Sequence, residues 1–213
     1  MMEKPVIILG AGGIGRMALE IFTSLGIIVY GFLDDDKSLT GTEIQHVKVL
    51  GTTSDDGFLK LIGHKCEAFI AADNNALRKS LVKMLNEKRK VMPVNAIHKY
   101  ARIAESVYLE YDLFINDSVI AGTNSRFSSH SIIHSGAIIG YDAVIGPFVQ
   151  VGSGSIIGDG ARIGDEVFIG TGAIIIPGLI IGKRARIGAG SVVTHNVAED
   201  ETVFGNPAQS VKT

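Results

Sequence analysis

From Ile97 to Ala198 the chain places an apolar residue at every sixth position. The series runs Ile97, Ile103, Leu109, Ile115, Ala121, Phe127 and Ile133, then on without a slip to Val193. Seventeen hexapeptides follow one another in this register, and in nine of them the next residue is Gly. The fifth position of each is small or aliphatic, as at Ala101, Val107, Ser125, Ser131 and Ala137. A helix of 3.6 residues per turn cannot keep one face apolar with a period of six, and so many glycines would weaken it. Short strands joined by tight turns can, with one large and one small residue pointing inward from each. The pattern predicts a β-helix over about half of the protein.

The pattern before residue 97 is different. Pro5-Val6-Ile7-Ile8-Leu9 is a continuous apolar run, as expected of a strand buried on both faces. Gly10-Ala11-Gly12-Gly13-Ile14-Gly15 follows it, and Ile14, Met17, Ala18, Ile21, Phe22 and Leu25 then keep helical spacing up to a stop at Gly26. A second strand, 27–33, ends at Asp34-Asp35-Asp36. Strand, Gly-rich turn, helix, strand and acid in that order form a dinucleotide-binding fingerprint. Backbone N–H groups freed by the glycines can approach a phosphate, whose charge the helix N-terminus favours. A helix capped by Thr53-Ser54-Asp55 and running to Leu61, a strand at 68–72, a helix with Leu77, Leu81, Met84 and Leu85 on one face, and a last strand at 91–94 complete a compact α/β unit. The expected organisation is a Rossmann-like domain for a nucleotide or nucleotide-sugar over 1–96, an all-β β-helix over 97–198, and a C-terminal tail over 199–213.

Composition narrows the choice of partner. Net charge is −2 without a dense basic run, which argues against nucleic-acid binding. The one cysteine, Cys66, excludes an intramolecular disulfide and fits a reducing compartment. The mean hydropathy of +0.30 comes from the Ile/Val-rich repeat and not from a membrane span. A cytoplasmic protein without membrane insertion is expected, and no signal peptide is read at the start. His130, His134 and His195 show no metal-ligand spacing and no cysteine or carboxylate cluster supports them, so no metal is expected. The fingerprint suits a nucleotide-like ligand better than NAD, which usually spans two such halves.

With these residues in view, the chain resembles the sialic acid O-acetyltransferases and nucleotide-aminosugar N-acetyltransferases of the NeuD/PglD type. The likeness lies in the opening GAGGIG, Phe32-Leu33-Asp34-Asp35, Asn74-Asn75 with Arg78, the hexapeptide run, Pro177, and Val203-Phe204-Gly205-Asn206-Pro207-Ala208. The resemblance implies that the coil over 97–198 is a left-handed parallel β-helix, and it implies a homotrimer with acetyl-CoA in the cleft between subunits. It implies nucleotide-sugar contacts at Gly12, Gly13, Ile14, Asp34, Asp35 and Asp73, although relatives have a small residue at the last. It implies acetyl-CoA contacts at Gln150, Thr171 and Ala189, although relatives can carry His at the first.

The resemblance also implies a base, a histidine followed by an acid, where this chain has Tyr141 and Asp142. A tyrosine with its ordinary pKa near 10 is a poor base at neutral pH. His134, where relatives commonly have Asn, is the candidate for a relocated base, and His130 is the second choice. Seven residues separate His134 from Tyr141, which puts them on different faces of one subunit, so they could meet only across a trimer interface. The expected function is acetyl-CoA-dependent acetylation of a nucleotide-linked aminosugar or a sialic-acid-type sugar by direct attack on the thioester. The alternative is a catalytically impaired homologue that binds nucleotide-sugar or CoA without turnover.

Overall fold

The computed structural model describes residues 4–211, which divide into two compact units between Ala96 and Ile97. The first unit is α/β. Strand β1 (Val6–Leu9) leads through the Gly-rich turn to helix α1 (Gly13–Ser24), then β2 (Val29–Leu33), β3 (Glu43–Ile44), β4 (Val47–Gly51), α2 (Asp56–Leu59), β5 (Glu67–Ile70) and α3 (Asn75–Arg89). The sheet order is β3-β4-β2-β1-β5, parallel except for the β3–β4 hairpin. The chain moves outward from β1 on one side and returns to its other side with β5. The order therefore reverses at β1, where ligand crevices form in open α/β sheets. All four residues of β1 are buried, as a strand covered on both faces requires.

Four local expectations change. Residues 91–94 form no strand: Pro93 has no N–H, and the Val94 N–H bonds to the Ala68 carbonyl at 2.8 Å. On α3 it is Arg78, not Leu77, that turns inward, leaving Leu77 45% exposed. The second strand begins at Val29 and β5 ends at Ile70, both shorter than the apolar runs that predicted them. The β3–β4 hairpin had no turn signal, because Gln45 and His46 both take positive φ without Gly or Asn between the strands.

The second unit is a left-handed parallel β-helix. Seventeen two-residue strands, β6 (Ala96–Ile97) to β22 (Val192–Val193), recur every six residues. Each pairs in parallel with the strand eighteen residues away, for example Ile132 with Gln150 and Ile138 with Ile156. Three flat faces result. The first carries strands such as Phe114–Ile115, Ile132–Ile133, Gln150–Val151 and Phe168–Ile169. The second carries Ile120–Ala121, Ile138–Ile139 and Ile156–Ile157, and the third Arg126–Phe127, Val144–Ile145 and Arg162–Ile163. The repeated apolar residue ends every strand and points inward: Phe127, Ile133, Ile145, Val151, Ile157 and Ile169 are all 0% exposed. The fifth-position residues fill the corners between them. Where these are serine, the buried hydroxyl still finds a hydrogen-bond partner, as in Ser131 Oγ donating to the Gly146 carbonyl at 2.8 Å. After Ala198 the hairpin β23 (Thr202–Gly205) and β24 (Ala208–Ser210) extends the first face, with Ile187 paired to Val203.

Among the described residues, no helix is long and apolar enough to cross a membrane.

Candidate functional site

Two regions collect the candidate residues, one in each unit. In the first unit, a cavity of about 290 Å³ opens at the carboxyl end of β1. Its lining includes Gly12, Asp34, Asp35, Thr53, Asp73 and Asn74. The four glycines of the turn divide by role. Gly10 has φ +116°, and a Cβ there would lie 2.5 Å from the Ala71 carbonyl oxygen. A Cβ on Gly15 would lie 2.1 Å from the Gly10 carbonyl oxygen, so this glycine allows the helix to pack against the strand end. Gly12 and Gly13 are exposed with open space around them. Gly12 is the N-cap of α1 and no side chain caps the helix there. The first backbone N–H groups of α1 are thus left for a ligand, and the missing side chains let it approach. Ile14 is 1% exposed, so its side chain belongs to the core and only its backbone is at the turn.

The two acids at the end of β2 brace this cavity. Asp34 accepts the Ala11 N–H at 2.7 Å and the Asp36 N–H at 2.8 Å, fastening the Gly-rich turn to the strand end. Asp35 accepts the Thr53 N–H at 2.9 Å and the Thr53 hydroxyl at 2.8 Å. Both remain in the cavity wall, with lone pairs that sugar hydroxyls could meet. Asp73 is held through its backbone. The buried Arg78 donates from Nε to the Ala72 carbonyl at 2.9 Å and from Nη2 to that of Asp73 at 3.3 Å.

In the second unit, His134 opens the corner between the first and second faces. Its N–H bonds to the Val151 carbonyl at 3.0 Å. Its Nε2 lies 3.2 Å from the Gln150 side-chain nitrogen, and the Phe114 ring is an edge-on neighbour at 6.1 Å. The Gln150 amide stands within hydrogen-bond reach of the imidazole and orients the ring. Thr171 and Ala189 stand exposed on the same corner one coil apart, and the Thr171 carbonyl accepts the Gly190 N–H at 2.9 Å. The structure therefore gathers His134, Gln150, Thr171 and Ala189 along one edge.

Tyr141 and Asp142 lie on the next corner, between the second and third faces, with the strand Ile138–Ile139 between them and His134. Tyr141 is 55% exposed, and its N–H bonds to Asp159 Oδ1 at 3.2 Å. Asp142 has φ 55° and faces a groove on the third face. Within one chain neither approaches His134.

His130, the second-choice base, sits on the remaining corner in a buried rung. Its Nδ1 is 2.9 Å from Asp112 Oδ2 and its ring stacks on Phe148 at 4.7 Å. With its side chain 6% exposed and Asp112's 0%, this pair braces the corner. Asp112, His130 and Phe148 are eighteen residues apart, a spacing that would have revealed them. Among the described residues, no group of His, Cys, Asp and Glu is arranged to hold a metal ion.

Residues 5–85 match the PglD N-terminal domain, and residues 160–195 match the bacterial transferase hexapeptide (six repeats). No curated protein sequence matches. Among solved structures, a mutant perosamine N-acetyltransferase from Caulobacter crescentus, in complex with CoA and GDP-perosamine, is 27% identical. It is covered over 99% of its length by 100% of this chain, with a TM-score of 0.89. The acetyltransferase domain of PglB from Neisseria gonorrhoeae, in complex with acetyl coenzyme A, is 25% identical over 99% of this chain and 100% of its own, with a TM-score of 0.89. WeeI from Acinetobacter baumannii is 27% identical over 97% of this chain and 99% of its own, with a TM-score of 0.87. With a PglD N-terminal domain, hexapeptide repeats behind it and a whole-chain likeness to these structures, the chain belongs to the PglD/NeuD-type family of hexapeptide-repeat acyltransferases.

Proposed function

We propose that this protein transfers an acetyl group from acetyl-CoA to an amine on a nucleotide-linked sugar. The observation that carries the reading is the pairing, in one chain, of the uncapped Gly12–Gly13 pocket with the coil edge that gathers His134, Gln150, Thr171 and Ala189. The similar structures with CoA and GDP-perosamine, and with acetyl coenzyme A, support both substrates. The nucleotide phosphate lies on the N-terminus of α1, and the sugar hydroxyls meet Asp34, Asp35 and Asp73. Acetyl-CoA follows the edge past Gln150, Thr171 and Ala189.

The amine attacks the thioester carbonyl directly, the C–N bond forms, and the C–S bond breaks to release CoA thiolate. His134 takes the proton that the amine loses, and backbone N–H groups on the coil polarise the carbonyl oxygen. Gln150, 3.2 Å from its Nε2, orients the ring. An amine tolerates a weak base better than a hydroxyl does, which favours N- over O-acetylation here.

The active assembly in this reading is a homotrimer, in which Tyr141 and Asp142 of one subunit reach the His134 edge of the next. A ridge on the second face supports it: Ile120, Ile138, Ile156 and Ile174 are stacked in register and each is 36–39% exposed. Closed three-fold packing would cover three such ridges at once. The substrates and the single buried thiol support a cytoplasmic location.

A second reading, binding without turnover, draws on Tyr141. Its side chain is exposed and engages none of the described residues, so nothing makes it a base. Thiol release from acetyl-CoA, measured across UDP-, GDP- and dTDP-aminosugars, decides between the two. Release with at least one sugar is expected. Calorimetric binding with no release from any would overturn the transferase reading in favour of the second.

A further inference from the structure

The exposed ridge on the second face does not begin with isoleucine. One rung before Ile120 the same outward position holds Arg102, paired in register with Ile120 as Ile120 is with Ile138. The strands Arg102–Ile103 and Ile120–Ala121 floor a groove of about 550 Å³. Among the described residues, Arg102 is the only charged one in its lining, and the rest is mostly apolar. The side chain is exposed, and among the described residues its guanidinium makes no ion pair or hydrogen bond. Two arginines farther along the coil are engaged: Arg184 pairs with Glu199 and Asp200, and Arg186 lies over the Phe168 ring at 4.8 Å.

On the homotrimer reading above, on which this site depends, a three-fold axis covers the ridge from Ile120 to Ile174. Such an axis brings three copies of each ridge residue to one height. At the first rung it therefore brings three guanidinium groups together. Like charges converging beside apolar walls repel, and no acid in the groove offsets them. We infer that the trimer holds one tetrahedral oxyanion, phosphate or sulfate, on its axis between three Arg102 side chains. Each guanidinium presents a planar fork of N–H donors that matches the anion's oxygens. A tetrahedral oxyanion has a three-fold axis of its own, so three equivalent arginines can each hold it in the same way. A nucleotide has none, and neither nucleotide-sugar nor CoA fits the symmetry of this place.

Glu105, the carboxylate nearest to Arg102 in sequence, has another place in this packing. It stands two coils before Tyr141 at the same corner position, as His98 stands two coils before His134. Packing that brings Tyr141 to the His134 edge of the next subunit brings Glu105 to the His98 and Lys99 of that subunit. Arg102, at the middle of the face, is left to the axis. The anion then works as a clamp. All three chains hold it and a single chain offers only one of its three ligands, so it stabilises the assembly and not the separate chain.

The test is calorimetry and light scattering of the full chain with inorganic phosphate or sulfate, the ionic strength held constant with sodium chloride. One anion bound per three chains is expected. At about ten times its Kd, the anion should lower the dissociation constant of the trimer about tenfold. Arg102→Gln should remain trimeric and lose both effects. Arg102→Lys, a point charge without the fork, should keep the stoichiometry with weaker affinity. A trimer that binds neither anion would overturn the site. So would one anion per chain that survives Arg102→Gln, which would place it on the N-terminus of α1 or on the third face. Loss of the trimer in both Glu105→Gln and Arg102→Gln, with no response to phosphate, would also overturn it, by joining the two residues in an ion pair between subunits. A mass of one chain for the unmodified protein, with and without phosphate, would instead overturn the homotrimer reading and take the axial site with it.

Discussion

The Nε2 of His134 and the side-chain nitrogen of Gln150 face each other at 3.2 Å, across adjacent rungs of the same coil face. A side-chain amide at this distance orients the imidazole ring. His134→Ala is therefore expected to lower kcat by roughly 10²- to 10⁴-fold, the usual contribution of a general base, with KM for acetyl-CoA little changed. Tyr141→Phe is expected to leave kcat within a few-fold. Steady-state kinetics check both, and full activity in the His134 variant would remove the histidine from the mechanism.

Two glycines of one turn should respond in opposite ways. Gly15→Ala drives a methyl against the Gly10 carbonyl oxygen and should destabilise the protein by about 1–3 kcal/mol, read as a lower Tm. Gly12→Ala meets nothing within 4 Å at an ordinary φ of −72°, so Tm should hold. Its methyl would stand where the phosphate approaches, and nucleotide affinity should fall about tenfold or more.

The apolar ridge on the second face gives a test of assembly. Glutamate at Ile138 or Ile156 leaves the inward ladder of Ile139 and Ile157 untouched. Light scattering should show the mass falling from a trimer to a single chain with the fold retained by circular dichroism.

Acid should remove one surface contribution selectively. The hydrogen bond from Arg184 holds the Asp200 carboxyl below its ordinary value. A carboxylate depressed in the folded state stabilises it above the unfolded pKa of about 3.9, and the gain is lost as pH falls through the lower folded value. The Tm gap between the unmodified protein and Asp200→Asn should therefore be present at neutral pH and close in strong acid. It should also shrink in high salt, because the pair is exposed.

Burial pushes the Cys66 thiol up, and the side chain is 1% exposed. Ellman's reagent should find no reactive thiol until the chain is unfolded. The same reagent can then follow CoA release without a background from the protein.

The coil was legible in the sequence because its neighbours are fixed by counting. A period of six gives the faces, and Ile133, Ile139 and Ile145 must point inward wherever the rest of the chain goes. The Gly-rich turn was legible because Gly15 is required by the carbonyl of Gly10, only a few residues distant. Contacts between separate elements were not. Nothing in Asp34-Asp35 foretold that one acid would fasten Ala11 and the other Thr53. Helical spacing could not distinguish Leu77 from Arg78 as the inward residue, since the arginine is drawn in by the Ala72 and Asp73 carbonyls. The rung of Asp112, His130 and Phe148 was hidden for a different reason: it shows at a spacing of eighteen, not six.

That spacing has a practical side. Each residue of the coil sits over the one eighteen places before it, so the chain is built in storeys of fixed length. Removing eighteen residues would take out one storey and leave every wall above it in line. Removing six would turn the upper part of the prism by a third of a revolution, carrying each wall's outer side chains around to the next. Length changes in the coil are thus tolerated in whole storeys, and any smaller change moves His134 out of line with Thr171 and Ala189.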